Sequence, residues 1–263
     1  MAKAAFLYTN LAAGLAAAAG SSAPVSGLGW DRLNESQPRH RARVDNTSAT
    51  LIFDLGSAQA VDCAALISTS LLLASTVRAR ASAVDPSCVS SLLHDSGVQA
   101  AVTDAKYNGN VIQCLSAAVT TRYWRWDVTG AAPIDIGLAP LGLLFRPGRN
   151  FSFGVQEGMI DFGTRDTNPD TGASFGVAGP IVRCRLLNFA AMSKSEARAQ
   201  IEDLDRVIGA ARDCLFVEDP DAAWLVRAQA SIWGSYRSPG QAELATRAAY
   251  NVFARPFRLV ERI

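Results

Sequence analysis

Thr120–Val128 reads TTRYWRWDV, and these nine residues decide the fold. A chain with only 8% aromatic residues concentrates two tryptophans and a tyrosine here, interleaved with two arginines. In a strand, alternate side chains point to opposite faces. Arg122, Trp124, Trp126 and Val128 then share one side, and Tyr123, Arg125 and Asp127 the other. The first set is expected to face a core and the second to be wetter, with Tyr123 and Arg125 left to face a partner.

Outward from this strand the same texture repeats. From about Ala49 to Arg125, short β-type runs (ATLIFDLG, VDCAALIS, STVRARAS and NVIQCLSAAV) are separated by Gly, Asn, Asp and Pro. That is the pattern of a β-sandwich or jelly roll. In STVRARAS, Val77, Ala79 and Ala81 alternate with Arg78, Arg80 and Ser82, as in a half-exposed strand. APLGLLFRP closes the series near Pro147. From Gly148 to Gly179 the texture changes to Gly, Asp, Asn, Thr and Phe, an arm or linker. IVRCRLLNFA then reads as a strand. SKSEARAQIEDLDRVIGAA reads as an amphipathic helix, with a capping box in Ser193 and Glu196 and with Ala197, Ile201, Leu204 and Ile208 at helical spacing. CLFVEDP, AAWLVRAQASIWGS and ATRAAYNVFARPFRLVERI read as strands. The expected architecture is mainly β. Residues 1-147 make an N-terminal strand, a linker and a β-sandwich or jelly roll, 148-179 an arm, and 180-263 a smaller α+β (β-α-β-β-β) domain.

Composition narrows the function classes. The chain has 263 residues, of which 49% are hydrophobic and 19% charged, enough apolar material for well-formed cores. Lys plus Arg number 25 against 24 acids, so no global basic field exists to hold nucleic acid or an anionic membrane. The five cysteines are widely spaced, odd in number and without a CxxC pair. A disulfide framework and a zinc site are therefore disfavoured, and Cys63 and Cys184 read as small buried thiols made in a reducing compartment. At the start, AAFLYTNLA is interrupted by Tyr8, Thr9 and Asn10 and reads as a structural strand followed by a small-residue linker, against a cleaved secretory leader. No other stretch has the length and apolarity of a membrane span.

Catalytic signals are absent from the sequence pattern. There are two histidines, His40 and His94, and His94 in LLHDSG reads as a turn residue beside Asp95. No GxSxG, HExxH or GxxxxGK[ST] occurs. Asp219 and Asp221 are the nearest paired carboxylates for glycan cleavage, but in EDPDAAW they read as a turn. DTNPDTG, Asp166–Gly172, opens like a calcium loop yet has Thr171 at the sixth position and Val177 at the twelfth, so it reads as an Asx-stabilised turn. No metal, cofactor or enzymatic activity is expected. WDRLNESQPRHRAR, Trp30–Arg43, has two readings. It is either a loop that covers one end of the sandwich with Trp30 as its buried plug, or a glycan site in which Trp30 stacks on a sugar and Arg39, His40 and Arg43 recognise its polar groups.

LIFDLGSAQAVDCAALIS, STVRARASAVD and TTRYWRWDV, in that order, resemble the discoidin-type, galactose-binding-like jelly roll. The resemblance covers roughly residues 20 to 150. It rests on Phe53–Gly56, Val77–Asp85 and Arg122–Trp126, with Trp124 and Trp126 standing where the family usually has aliphatic residues. It implies ligand binding by loops at the sandwich end, here the Trp30–Arg43 segment. The whole chain, with LYTNLA, the sandwich, the arm and the α+β unit, also resembles a minor tail or tail-tip protein of a long-tailed bacteriophage. That resemblance implies a structural virion protein, assembled in the host cytoplasm into the tail. Its partners would be itself in a ring or other symmetric assembly, other phage tail proteins and a host-surface glycan, with no nucleic acid and no membrane insertion. Phe151, Phe153, Phe162 and Phe175 of the arm are then the expected assembly interface. The alternative is a non-catalytic carbohydrate-binding module of an envelope or periplasmic protein.

Overall fold

In the computed structural model the aromatic stretch lies within one long strand, Val111–Thr129. The structure describes residues 3–34, 37–101, 109–152, 155–167, 169, 171–209, 212–236, 243–244 and 252–262. Trp124, Trp126 and Val128 are at most 1% exposed and share one core, as their parity requires. Residues opposite them explain how two indoles fit. Trp124 lies between Phe53 of the Ser48–Leu66 strand and Ala81 of the Thr76–Ser82 strand, and Trp126 lies between Leu51 and Ala79. Alanine on one side leaves room for each ring, and the two rings meet edge to face at 6.3 Å.

These strands belong to a six-stranded antiparallel sheet. Its order is Leu92–Asp95, Thr76–Ser82, Val111–Thr129, Ser48–Leu66 and Leu141–Gly142, with Gln99–Ala100 joined to Thr76–Ser82. Facing it is a short ribbon, Ala42–Val44 paired with Ile134–Ile136. Ala42, Val44, Ile134 and Ile136 close the core from the far side, together with Trp30 and Leu33. The chain is thus mainly β: a β-sandwich of jelly-roll type, followed by a smaller α+β unit.

That second unit is a seven-stranded antiparallel sheet in the order Ala5–Leu7, Asp213–Val217, Ile232–Tyr236, Val252–Glu261, Ile181–Ser193 and Gln156–Asp161, with Glu243–Leu244 paired to Val252–Glu261. The predicted helix forms as Lys194–Glu196, a wider π-helical turn at Ala197–Ile201, and Glu202–Ile208. Its capping box is present: the Ser193 hydroxyl and backbone N–H donate to Glu196 Oε2 at 2.7 and 3.0 Å, and Glu196 N–H donates back to Ser193 Oγ at 3.2 Å. Ile201, Leu204 and Ile208 are buried against the sheet. One element differs from expectation. AAWLVRAQASIWGS is half helix, Trp224–Ala230, and only Ile232–Tyr236 is strand. The alanine-rich half lacks strand alternation, and its Trp224, Arg227 and Ala228 are spaced three and four apart, which brings them to one helical face. Trp224 Nε1 donates to Ala100 O at 2.9 Å, so this helix docks on the sandwich.

The first strand does not stay with the sandwich that follows it in sequence. Ala5, Phe6 and Leu7 pair with Val217, Phe216 and Leu215. Its parity divides it between two cores. Ala4 and Phe6 join Phe189, Phe216 and Phe257 on the helix side, whereas Ala5 and Leu7 join Leu215, Val217 and Trp233 on the other. That other side is completed by Cys63, Ala65, Ile67, Ile112 and Cys114 of the sandwich sheet, so one apolar layer fuses the two units. Phe6 touches four rings, with centroids 5.3 Å to Phe216, 5.5 Å to Phe257, 5.9 Å to Phe189 and 6.3 Å to Phe145. Phe6→Ala is expected to cost about 3–5 kcal/mol, read as a shifted urea midpoint, because the cavity opens among rigid rings. A loss under about 1 kcal/mol would show that the first strand is dispensable.

Candidate functional site

The described residues of the Trp30–Arg43 segment pack on the sandwich core through Trp30, Leu33 and Ala42. Trp30–Asn34 is a short 3-10 helix. Trp30 is 8% exposed, its Nε1 donates to Ser22 O at 2.8 Å, and with Leu33 it plugs the core. The plug reading therefore holds, and Trp30 offers no platform for a sugar ring. Alternation in the next strand sends Ala42 and Val44 inward and leaves Arg41 and Arg43 half exposed outside.

Outside that strand is an arginine-rich basin of about 410 Å³, lined by Leu28, Arg32, Arg39, Arg41, Arg43 and Asp135. Its walls are held by backbone and side-chain bonds. Val25 N–H donates to Arg43 O at 2.8 Å and Arg43 N–H to Leu28 O at 3.0 Å, which lays the preceding loop along the strand. Arg32 Nε donates to Gly27 O at 3.0 Å, and an Arg41 terminal nitrogen to Ser68 Oγ at 2.9 Å. Arg43 grips Asp135 with two parallel bonds of 2.7 and 2.9 Å, and Asp135 N–H is itself held by Ser70 Oγ at 2.9 Å. The Arg43 guanidinium is held above its usual pKa by the hydrogen bond to Asp135 and the attraction of that carboxylate. Gly137 lets the loop close down, since a Cβ there would run into the carbonyl of Pro38. Four arginines against one carboxylate among the described residues leave the basin strongly positive.

Of the residues expected here, Arg39 and Arg43 line the basin, His40 is exposed and does not line it, and Trp30 is buried. Sequence reasoning missed Arg32 and Asp135. Arg32 belongs to the quoted segment. Asp135 reaches Arg43 only through the pairing of Ala42–Val44 with Ile134–Ile136, which no local pattern announces.

The wetter face of the aromatic strand proves self-satisfied. Tyr123 is 8% exposed with the Arg122 guanidinium 5.0 Å from its ring centre, and Arg122 forms a two-bond ion pair with Asp54 at 2.8 and 2.9 Å. Arg125 bonds to Asp127 and to Ser87 O, while Arg80 bonds to the other oxygen of Asp127. Tyr123 and Arg125 are thus not left to face a partner, because three strands bring both signs of charge together. His94 is not in a turn but in the Leu92–Asp95 strand, stacked 5.9 Å from Trp124, and burial pushes its pKa down. Asp219 accepts from Asp221 N–H at 2.9 Å, the expected turn. Asp166 and Thr167 end one strand of a hairpin, Thr164–Thr167 with Ser174–Val177, and residues 168 and 170 of the DTNPDTG stretch lie outside the described residues. Among the described residues no group of three or more metal-ligating side chains converges, and no helix is long and apolar enough to cross a membrane.

The arm is divided. Phe151 is half buried and meets Phe189 edge to face at 6.2 Å, so it packs on its own chain instead of waiting for another. Phe153 lies outside the described residues. Phe162 and Phe175 are 49% and 66% exposed. A larger cavity of about 570 Å³ lies at the seam between the sheets, lined by Tyr8, Gln59, Arg146 and Gln200 among others. Its charged group is already engaged, since Arg146 bonds to Leu115 O at 3.1 Å and to Asp62 at 3.4 Å.

No protein-family model and no curated protein matches the chain. Among solved structures, part of the chain is similar to the lectin domain of lectinolysin complexed with Lewis B antigen, at 14% identity and TM-score 0.39, covering 52% of this chain and 96% of that one. It is also similar to a Streptococcus pneumoniae fucose binding module, at 10% identity and TM-score 0.41, covering 51% and 94%. A third is the CBM32 of AlyQ in complex with 4,5-unsaturated mannuronic acid, at 18% identity and TM-score 0.36, covering 46% and 90%.

The charged face makes a pH prediction. Burial alone would raise the Asp127 pKa, but hydrogen bonds from Arg125 and Arg80 outweigh it and hold it below the usual carboxylate value. A depressed folded pKa contributes stability above the unfolded value of about 3.9 and loses it as pH falls further. Urea midpoints should therefore drop below about pH 4. Asp127→Asn should flatten that drop and cost about 3 kcal/mol at neutral pH by leaving Arg80 unpaired. Parallel curves for the two proteins between pH 5 and 2 would reject this source of acid lability.

Proposed function

We propose that this chain is a non-catalytic carbohydrate-binding protein, and that the arginine basin takes a sugar bearing a carboxylate or sulfate. The observation that carries this reading is the set of four guanidiniums around a cavity of about 410 Å³ with one carboxylate among its described lining residues. Arginine presents a planar fork of donors that matches the two oxygens of a carboxylate or sulfate. The volume lies in the range of small-ligand clefts. With Trp30 buried, no aromatic lines the basin among the described residues, so recognition rests on charge-assisted hydrogen bonds, with Leu28 as the apolar contact. Arg43 is fixed by Asp135, which leaves Arg39 and Arg41 as the groups nearer to a free choice of partner. An array of acidic and neutral glycans should show retention of the acidic set, weakening as salt is raised. Arg41→Ala should reduce affinity about tenfold or more, as for loss of a hydrogen bond to a charged group. Equal retention of neutral glycans, or binding untouched by Arg39→Ala and Arg41→Ala, would reject the basin.

A second reading, a structural role in an assembly such as a phage tail tip, rests on the exposure of the arm, which bears on self-association alone. The hairpin Thr164–Thr167 with Ser174–Val177 is exposed along both strands, and Phe162, Phe175 and Val177 are 49, 66 and 69% exposed around it. A two-stranded ribbon has two outer edges, and an apolar edge pairs readily with the same edge of a second copy. Light scattering should then report an oligomer that the double substitution Phe162→Ser and Phe175→Ser converts to a monomer. A monomeric parent protein at high concentration would remove this reading and leave the basin untouched.

A further inference from the structure

The five cysteines contain no CxxC pair, yet the sheet brings two of them together. Cys63 and Cys114 are directly opposite on the Ser48–Leu66 and Val111–Thr129 strands, and their sulfurs are 4.0 Å apart. The pairing of these strands slips between Val61 and Cys63, so neither sequence spacing nor a single register predicts the match. Opposed positions on antiparallel strands have Cα atoms about 4.5–5.5 Å apart, inside the disulfide range of about 4.4–6.8 Å. The pair lies in the apolar layer that fuses the sandwich to the second sheet.

A cation is buried beside them. Arg227, on the Trp224–Ala230 helix, is 9% exposed, and its terminal nitrogens donate to carbonyls, Ile112 O at 3.2 Å and Ala222 O at 2.8 Å. Its Nε is buried without a hydrogen-bond partner. Ile112 is two residues before Cys114 on the same strand, so the guanidinium is anchored to the backbone two residues from Cys114. A buried guanidinium held only by carbonyls favours an anion nearby. Cys114 is the more acidic thiol of the pair: its hydrogen bond with Cys63 lowers its pKa, and Arg227 and Arg146 add to this against burial and Asp62. Cys63 is driven the opposite way by its hydrogen bond to Cys114 and by burial.

We infer that Cys63 and Cys114 form an oxidation site, a dithiol that hydrogen peroxide closes to a cross-strand disulfide with Cys114 as the attacking sulfur. Peroxide is the class of oxidant because Cys63 is 0% and Cys114 8% exposed, which excludes anything bulky. The Cys114 thiol gives up its proton, its sulfur attacks one peroxide oxygen, the O–O bond breaks, and the departing hydroxide takes up that proton to give water. The Cys114 sulfenic acid is then attacked by Cys63 sulfur. The S–O bond breaks, the Cys63 proton leaves with that oxygen as a second water, and the S–S bond forms at about 2.0 Å. Two electrons pass from the thiols to the peroxide, and two thiols plus one peroxide become one disulfide plus two waters.

Treat the whole chain with hydrogen peroxide, denature it, alkylate the remaining thiols and map the peptides by mass. The expected product is the Cys63 peptide joined to the Cys114 peptide with two hydrogens lost, while Cys88 and Cys214 are recovered alkylated. Those two are controls, because burial and neighbouring aspartates push their pKa values up to about 11 and about 12. In Cys63→Ser, dimedone present when the peroxide-treated chain is denatured should label Cys114. In Cys114→Ser, Cys63 should stay unlabelled. Arg227 is a positioning residue, so Arg227→Met should slow oxidation at least tenfold at neutral pH and move its pH profile upward, with Arg227→Lys restoring part of both. Recovery of both cysteines as separate alkylated peptides from the treated parent protein would overturn the site, whatever the variants do. A joined peptide whose rate and pH profile ignore Arg227→Met would overturn the assignment of Arg227.

Discussion

Four residues near the start of the chain, Ala4 to Leu7, are each at most 1% exposed, and their alternation is the constraint on which the rest of the structure depends. Ala4 and Phe6 enter the helix-side core, and Ala5 and Leu7 enter the layer shared with the sandwich. A strand with both faces buried ties whatever it lies between. Phe6 also exchanges two backbone hydrogen bonds with Phe145, at 2.9 and 2.8 Å, at the end of the sandwich. The edge of one unit is therefore the seam of the whole, and the two sheets share an apolar layer instead of keeping two independent cores.

Arginine supplies most of the polar order. Arg122–Asp54, Arg43–Asp135 and Arg183–Glu261 are each forked pairs, and Arg80 and Arg125 share Asp127. Each uses the planar geometry that lysine lacks. The near-neutral net charge of +1 thus conceals an uneven surface, where many of the described arginines are matched by a carboxylate and the basin around Arg39 and Arg41 holds four guanidiniums against one. The same residue type serves cohesion where a carboxylate lies opposite and recognition where none does.

Much of the fold was legible because it is local. The capping box at Ser193 and Glu196, the helical spacing of Ile201, Leu204 and Ile208, and the strand parity of Trp124, Trp126 and Val128 are each set within a few residues. The expectations that failed required knowledge of neighbours. Parity alone leaves Tyr123 and Arg125 turned toward a partner, but the neighbouring strand supplies Arg80, and Asp127 closes the network. AAWLVRAQA carried no strand alternation, and its helix became decisive only once Ala100 and Ile112 lay within reach of Trp224 and Arg227. Of the candidate site, the arginines of QPRHRAR were visible as a cluster, but burial of Trp30 and the arrival of Asp135 were not.

By itself the sequence determined which faces are apolar: side-chain period follows directly from backbone geometry, two residues in a strand and 3.6 in a helix. It determined that the chain is mainly β, that a helix follows Ser193, and that arginines gather before the first long strand. Tertiary structure alone decided which apolar face meets which. It sent the first strand to Asp213–Val217, set Cys63 opposite Cys114 through a slipped register, and brought Asp135 to Arg43 across 92 residues. Those outcomes depend on complementarity between surfaces distant in the chain, and the entropy of closing such loops grows so slowly with length that sequence separation gives little guide to the partner.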